Sequence, residues 1–178
     1  MVYLFLANGF EECEAITPLD ILRRANVEVK TVGIGSNTIT GSHNITINCD
    51  TVNKNLNLDK LEGIILPGGI PGTPNLEKDN TVQATIDYCN ENGLLICAIC
   101  AAPSILGHKG LLRGKKATCY PGFEPELLGA EIINEKVVSD NNIITACGAG
   151  AASDFGFKIL GYLKDERTAN DIKNAMKF

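Results

Sequence analysis

Leu94-Leu95-Ile96-Cys97-Ala98-Ile99-Cys100-Ala101-Ala102-Pro103-Ser104-Ile105-Leu106 is the stretch on which the reading of the fold turns. Its first six residues form an unbroken apolar run of strand length, the pattern of a strand buried on both faces of a sheet. Residues 101–107 read as the start of a helix. Between the two stands Cys100, with the small residues Ala98 two before it and Ala102 two after. A strand that turns sharply into a helix brings the two backbones close, and small flanking residues are what such a nucleophile elbow needs. The thiol would then sit at a helix N-terminus, where the macrodipole and free N–H groups favour thiolate. The competing reading is one more buried cysteine beside Cys97.

The same alternation of strand and helix continues outward in both directions. Residues 2–7, 27–34 and 63–66 read as buried strands, and residues 17–25, 81–92, 151–163 and 169–176 as helices. Thr17-Pro18 with Asp20 has the form of an N-cap, a proline at the first helical position and an acid in the first turn. Residues 38–52 alternate polar with apolar, as in a hairpin at a sheet edge. Short strands are expected at 117–119, 130–133, 136–139 and 143–146. Strands alternating with helices imply a mainly parallel sheet covered on both faces, and right-handed crossovers make this a three-layer α/β sandwich. The 178 residues suit a single domain spanning 1–178, with no repeat or linker.

Composition narrows the function. Hydrophobic residues make up 44% and charged residues 21%, the balance of a folded globular chain. The net charge of −5, without any run of Lys or Arg, argues against nucleic acid or an anionic membrane as the main partner. No apolar run approaches the roughly 18 residues that span a bilayer. The first strand starts at Val2, so no secretory leader is expected. Seven cysteines, an odd number scattered through strands and helices, suggest reduced thiols and a cytoplasmic setting.

In an open parallel sheet, functional groups collect beyond the carboxyl ends of the strands. Four segments fall there: residues 8–14, residues 67–72, Cys100 with Ala101, and residues 147–150. Two other motifs carry less. Cys97-x-x-Cys100 has redox spacing, but Cys97 lies inside the strand. Two histidines and scattered thiols supply no metal site of recognisable spacing.

Ala98-Ile99-Cys100-Ala101-Ala102-Pro103, Leu66-Pro67-Gly68-Gly69, and Gly9-Phe10-Glu11-Glu12-Cys13-Glu14 with Pro18 and Asp20 together resemble the ThiJ/PfpI superfamily. The likeness is closest to the branch of the Parkinson-disease-associated deglycase and its bacterial homologues. It runs through Thr118-Cys119-Tyr120-Pro121 and the Gly148-Ala149-Gly150 turn, and so over essentially the whole chain. The resemblance implies a flavodoxin-like fold, a homodimer and no cofactor. It makes Cys100 the nucleophile and Glu14 the carboxyl that hydrogen-bonds it. A carboxylate would repel a thiolate, so Glu14 is expected to be protonated, with a raised pKa, and to donate to sulfur. The backbone N–H groups of Gly69 and Ala101 would form an oxyanion hole, with Gly68 beside them. Glu11 and Glu12 read as solvated acids.

The chain also departs from that pattern. Tyr120 stands where many relatives place a histidine, and Ala101 where the protease-like branch has its histidine base. His108 is eight residues beyond Cys100, about 12 Å along a helix and too far to serve. His43, in the hairpin segment, falls near where relatives carry an arginine that reaches the site, so it either lines the pocket or belongs to a surface turn. Cys147 replaces an arginine common before the Gly-x-Gly turn. The implied activity is of the glyoxalase or deglycase kind, on methylglyoxal or its adducts on protein side chains, in stress protection. The alternative is a redox sensor acting through oxidation of Cys100. A cysteine peptidase or amidase is disfavoured by the missing histidine.

Overall fold

A strand buried on both faces must satisfy its backbone N–H and C=O groups against other strands, since no water reaches them. That requirement gathers the apolar runs of this chain into one sheet. The computed structural model describes residues 1–54 and 56–178. In chain order they form β1 (Val2–Leu6), α1 (Glu12–Arg24), β2 (Val29–Gly33), β3 (Thr38–Thr40), β4 (Thr46–Asn48), β5 (Thr51–Val52) and β6 (Gly63–Leu66). There follow α2 (Gly72–Glu77), α3 (Asn80–Glu91), β7 (Leu95–Ile99), α4 (Pro103–His108), β8 (Lys116–Ala117) and β9 (Glu131–Ile132). The chain ends with β10 (Val137–Asp140), β11 (Ile143–Ala146), α5 (Ala152–Leu163) and α6 (Glu166–Ala175).

The main sheet has seven strands in the order β10-β11-β7-β6-β1-β2-β5. All neighbours are parallel except the edge strand β10, which is antiparallel to β11. The five central strands follow the flavodoxin-like order of doubly wound folds. Each face carries its own apolar layer. On one, Leu4, Leu6, Ile65, Ile99 and Ile144 pack with Ile21 of α1 and Phe155 and Leu160 of α5. On the other, Phe5, Ile64, Leu66 and Ile96 pack with Val82 and Ile86 of α3 and Ile105 of α4. The expected three-layer αβα sandwich with a mainly parallel sheet is therefore the observed fold. Among the described residues no helix is long and apolar enough to cross a membrane.

The last helix begins at Glu166, three residues before the expected start, and two other helix starts that differ from the sequence reading matter to the site. The first helix begins at Glu12, not at residue 17. The Glu11 carboxylate accepts the Glu14 N–H at 2.8 Å and caps the helix there, so Pro18 lies inside α1. The early cap draws Glu14 into the first turn. The helix expected from residue 101 begins at Pro103, while Ala101 and Ala102 form the turn itself. The expected hairpin is present as β3 and β4, paired with each other and separate from the main sheet, while β5 adds the edge strand beside β2.

Phe155 is fully buried on α5 between the sheet and α1. Truncating a buried phenylalanine to alanine costs about 3–5 kcal/mol. Phe155→Ala should therefore lower the urea-unfolding free energy by about that amount; a loss below roughly 1 kcal/mol would mean that this layer does not hold the domain.

Candidate active site

The strands β1, β6, β7 and β11 deliver their C-terminal ends to one rim of the sheet, and the site is built there. β7 ends at Ile99, and Cys100 turns with φ +65°, a left-handed conformation that a non-glycine residue rarely adopts. Such a conformation costs about 1–3 kcal/mol and persists only where the surroundings impose it. Here the Cys100 N–H donates to the Ala146 carbonyl at 2.8 Å, and its carbonyl accepts the Tyr120 N–H at 2.9 Å. Ala98 and Ala102 are both fully buried against the elbow, as their small size requires. The sequence pattern and the backbone geometry agree.

Glycine is obligatory at the end of β6 for a reason of space. A Cβ added to Gly68 would lie 2.6 Å from both the Cys100 Cβ and the Glu14 Oε2. The neighbouring Gly69 has φ +94°, which lets the chain reverse over the start of α1. Glu14 reaches this gap from the first turn of α1 and is only 1% exposed. Its Oε2 accepts the Gly68 N–H at 2.9 Å. The carboxyl also accepts the Ala149 N–H and hydrogen-bonds the Cys100 thiol. The Gly69 and Ala101 N–H groups converge on the Cys100 sulfur.

Burial is the largest influence on both titrating groups. It pushes the Glu14 carboxyl up to about 7, helped by the Glu11 charge and opposed by hydrogen bonds from Cys100, Gly68 and Ala149. The expected rise is present, and it leaves the group poised at neutrality, where a proton-transfer residue is most effective. Burial likewise pushes the Cys100 thiol up to about 12, with the charge and hydrogen bond of Glu14 adding to it and the Ala101 and Gly69 N–H groups opposing. The expected depression of the thiol by a helix N-terminus is thus absent. The helix starts only at Pro103, and the sulfur lies buried against a carboxyl. Above about pH 7 the pair carries one negative charge and one proton between oxygen and sulfur.

The other anticipated residues divide. Tyr120 borders the elbow through its backbone, and its ring lies against Gly148, whose added Cβ would sit 3.2 Å from Cδ2; the side chain is 51% exposed. Cys147 is half-buried at the end of β11, one residue beyond the Ala146 carbonyl that holds Cys100. His43 turns to Glu12: its Nδ1 lies 2.9 Å from Oε2 and its backbone N–H donates to Oε1 at 2.8 Å. Its ring is 69% exposed, and among the described residues its hydrogen bonds go to Glu12 and Ser42, not to Glu14 or Cys100. It belongs to the surface-turn reading.

Glu12 and Ala149 escaped the sequence reading. Glu12 is buried, not solvated, and ties the β3–β4 hairpin to the start of α1. Burial works against its charge, yet the hydrogen bonds from His43 and Ile45 hold the carboxyl below its ordinary range. Its partners lie about thirty residues away in sequence, so no local signal could reveal them. Glu11, Glu12 and His43 place three ligand-type atoms within 4.8 Å of one another, with the Glu12 oxygens already taken by hydrogen bonds.

Comparison with known proteins agrees with this architecture. Residues 1–161 match the DJ-1/PfpI family. The chain is 33% identical over 176 residues to the Drosophila melanogaster protein dj-1beta, covering 97% of this chain and 94% of that one. It is 32% identical over 149 residues to a Pyrococcus horikoshii protein named a deglycase, covering 82% of this chain and 89% of the relative. The solved structure of oxidised Toxoplasma gondii DJ-1 superposes with a TM-score of 0.95 at 28% identity, covering 99% of this chain and 97% of that one. The chain belongs to the DJ-1/PfpI family.

Alkylation of Cys100 by iodoacetamide should rise through an inflection near pH 7, where the pair loses its first proton to become a mono-anion. Glu14→Gln should abolish that inflection and leave only the high-pH ionisation of the thiol. An unchanged profile in the variant would show that the two groups titrate independently.

Proposed function

We propose that this DJ-1/PfpI family member uses Cys100 as a cofactor-independent nucleophile toward small reactive carbonyls, methylglyoxal or its adducts on protein side chains. The single observation that carries the reading is the buried Glu14 carboxyl, poised near neutrality and hydrogen-bonded to the half-buried thiol. Glu14 takes the thiol proton as sulfur adds to the aldehyde carbon, and the Gly69 and Ala101 N–H groups receive the developing alkoxide. In the resulting hemithioacetal, Glu14 moves the proton from the former aldehyde carbon to the adjacent one through an enediol. Water then hydrolyses the S-lactoyl thioester, giving lactate and the free thiol. Methylglyoxal plus water becomes lactic acid, with no external oxidant or reductant.

A peptidase or amidase must also protonate an amine leaving group. No histidine stands beside Cys100, and the two in the chain hydrogen-bond Glu12 and Ser42 in one case and Glu77 and Glu126 in the other. A second reading, oxidation of Cys100 as a redox signal in stress protection, draws support from the oxidised state of the Toxoplasma gondii relative. The same family reading carries a homodimer in the cytoplasm as its setting.

The purified protein, without glutathione, should convert methylglyoxal to lactate, and Cys100→Ser should lose all of that activity. Loss of one group that acts in a catalytic unit removes nearly the full effect of the unit, so Glu14→Leu should fall almost as far. A fluorogenic peptide and glutamine, offered to the same preparations, should remain intact. Cys100-dependent cleavage of either, with methylglyoxal untouched, would replace the carbonyl reading with amide hydrolysis.

A further inference from the structure

Cys147 takes no part in the chemistry above, yet the sheet brings it to the elbow. Ala146 of β11 is the register partner of Ile99 of β7, the last pair of that ladder, and the Cys100 N–H closes it on the Ala146 carbonyl at 2.8 Å. Cys100 and Cys147 are the residues that follow this last pair. Neighbouring strands lie about 4.8 Å apart where they are paired, so the two chains are still close where these residues leave the ladder, and a disulfide spans roughly 4.4–6.8 Å between Cα atoms. Both thiols are free and half-buried, and both pack against the apolar cluster that lies between the sheet and α1 with α5. Cys97, by contrast, is fully buried within β7, and Cys13 lies exposed on α1.

The surroundings of Cys147 leave it room to move. Its side chain borders a cavity of ≈ 320 Å³, shared with Cys119, Glu124 and Lys136. Lys136 directs its ammonium toward Asp154, 3.9 Å away. The residue that follows is Gly148, with φ +153°, a backbone without a side chain to resist a small swing.

We propose that Cys147 is the resolving thiol of Cys100 in the reduction of hydroperoxides. This rests on the reading of Cys100 as the reactive nucleophile. In the first step the Cys100 sulfur attacks the terminal oxygen of a hydroperoxide. The O–O bond breaks, sulfur is oxidised by two electrons to sulfenic acid, and Glu14 passes the thiol proton to the departing alkoxide, which leaves as an alcohol. In the second step the Cys147 sulfur attacks the sulfenic sulfur; the S–S bond forms and water leaves. A small dithiol then reduces the disulfide and becomes a disulfide itself. The sum is hydroperoxide plus dithiol giving alcohol, water and oxidised dithiol. Without a resolving thiol, the sulfenic acid is open to a second oxidation to the sulfinic acid, which thiols do not reverse.

The test uses the full chain, treated with one equivalent of tert-butyl hydroperoxide without added thiol and then digested under non-reducing conditions. Mass spectrometry should find a peptide linked through Cys100 and Cys147, cleaved by dithiothreitol. Cys147→Ser should lose the link and accumulate about tenfold more Cys100 sulfinic acid under repeated dosing, whereas Cys119→Ser should keep the link. The proposal is overturned if the wild type forms no such link, if Cys100 or Cys147 pairs with another cysteine instead, or if wild type and Cys147→Ser reach sulfinic acid at equal rates. The wild-type measurement stands even if a variant fails to fold. Lactate formation by the reduced wild type is a separate readout, so failure of the carbonyl reading and failure of the resolving role are distinguishable.

Discussion

Cys100 must reverse the chain at the point where a buried strand ends and its covering helix has not yet begun. A φ of +65° at a residue with a side chain is unfavourable by itself, and it is held by bonds from two directions, to Ala146 on one side and Tyr120 on the other. Each of these partners is supplied by a separate part of the chain. The constraint spreads from there. Ala98 and Ala102 stay small because the backbones converge, and Gly68 stays without a side chain because Cys100 and Glu14 occupy the space its Cβ would need. The elbow thus dictates residue choice just beyond β6, on β7 and in the turn before α4. The order of the strands then matters, because only a sheet that sets β6 and β11 on the two sides of β7 can bring Gly68 and Ala146 to the same residue.

The second dependency is electrostatic and works against stability. Glu14 ionises at 4.5 in its ordinary setting and at about 7 in the fold. Between those values the unfolded chain binds fewer protons than the folded one, so stability falls as pH rises, by about 3 kcal/mol across the interval. Burying the carboxyl therefore weakens the domain at neutral pH while bringing its ionisation to that range. Two apolar layers, with Phe155, Ile65 and Leu66 fully buried among them, offset the loss. Hydrogen bonds from Gly68 and Ala149 soften it without restoring the carboxyl to its ordinary value.

Tyr120 and Cys147 lie on one side of the elbow. Tyr120 gives the rim an exposed aromatic ring against Gly148, and Cys147 gives it a second, half-buried thiol one residue beyond the Ala146 carbonyl that holds Cys100. Neither is an imidazole, so in the proposed chemistry the proton traffic falls to Glu14. That division favours chemistry in which the proton leaving sulfur returns to an oxygen, as in carbonyl addition and hydroperoxide reduction, over chemistry that must expel an amine.

The sequence by itself determined the α/β alternation, the parallel sheet and the elbow at Cys100, while Glu14 as the acid that meets it was implied by the family resemblance. The first three rest on local signals: apolar runs of strand length, small residues at fixed offsets, and glycines at strand ends. Only the tertiary structure decided where α1 begins, because its cap is the Glu11 carboxylate, a residue type with no strong capping signature, while Thr17-Pro18 imitates one. It also decided that Glu12 is buried and His43 turned toward it, since their contacts cross about thirty residues of sequence. And it decided the ionisation of the pair. A helix N-terminus can be read from a sequence, but the loss of water around a sulfur and a carboxyl depends on everything packed over them, and here that loss outweighs the Ala101 and Gly69 N–H groups at the sulfur.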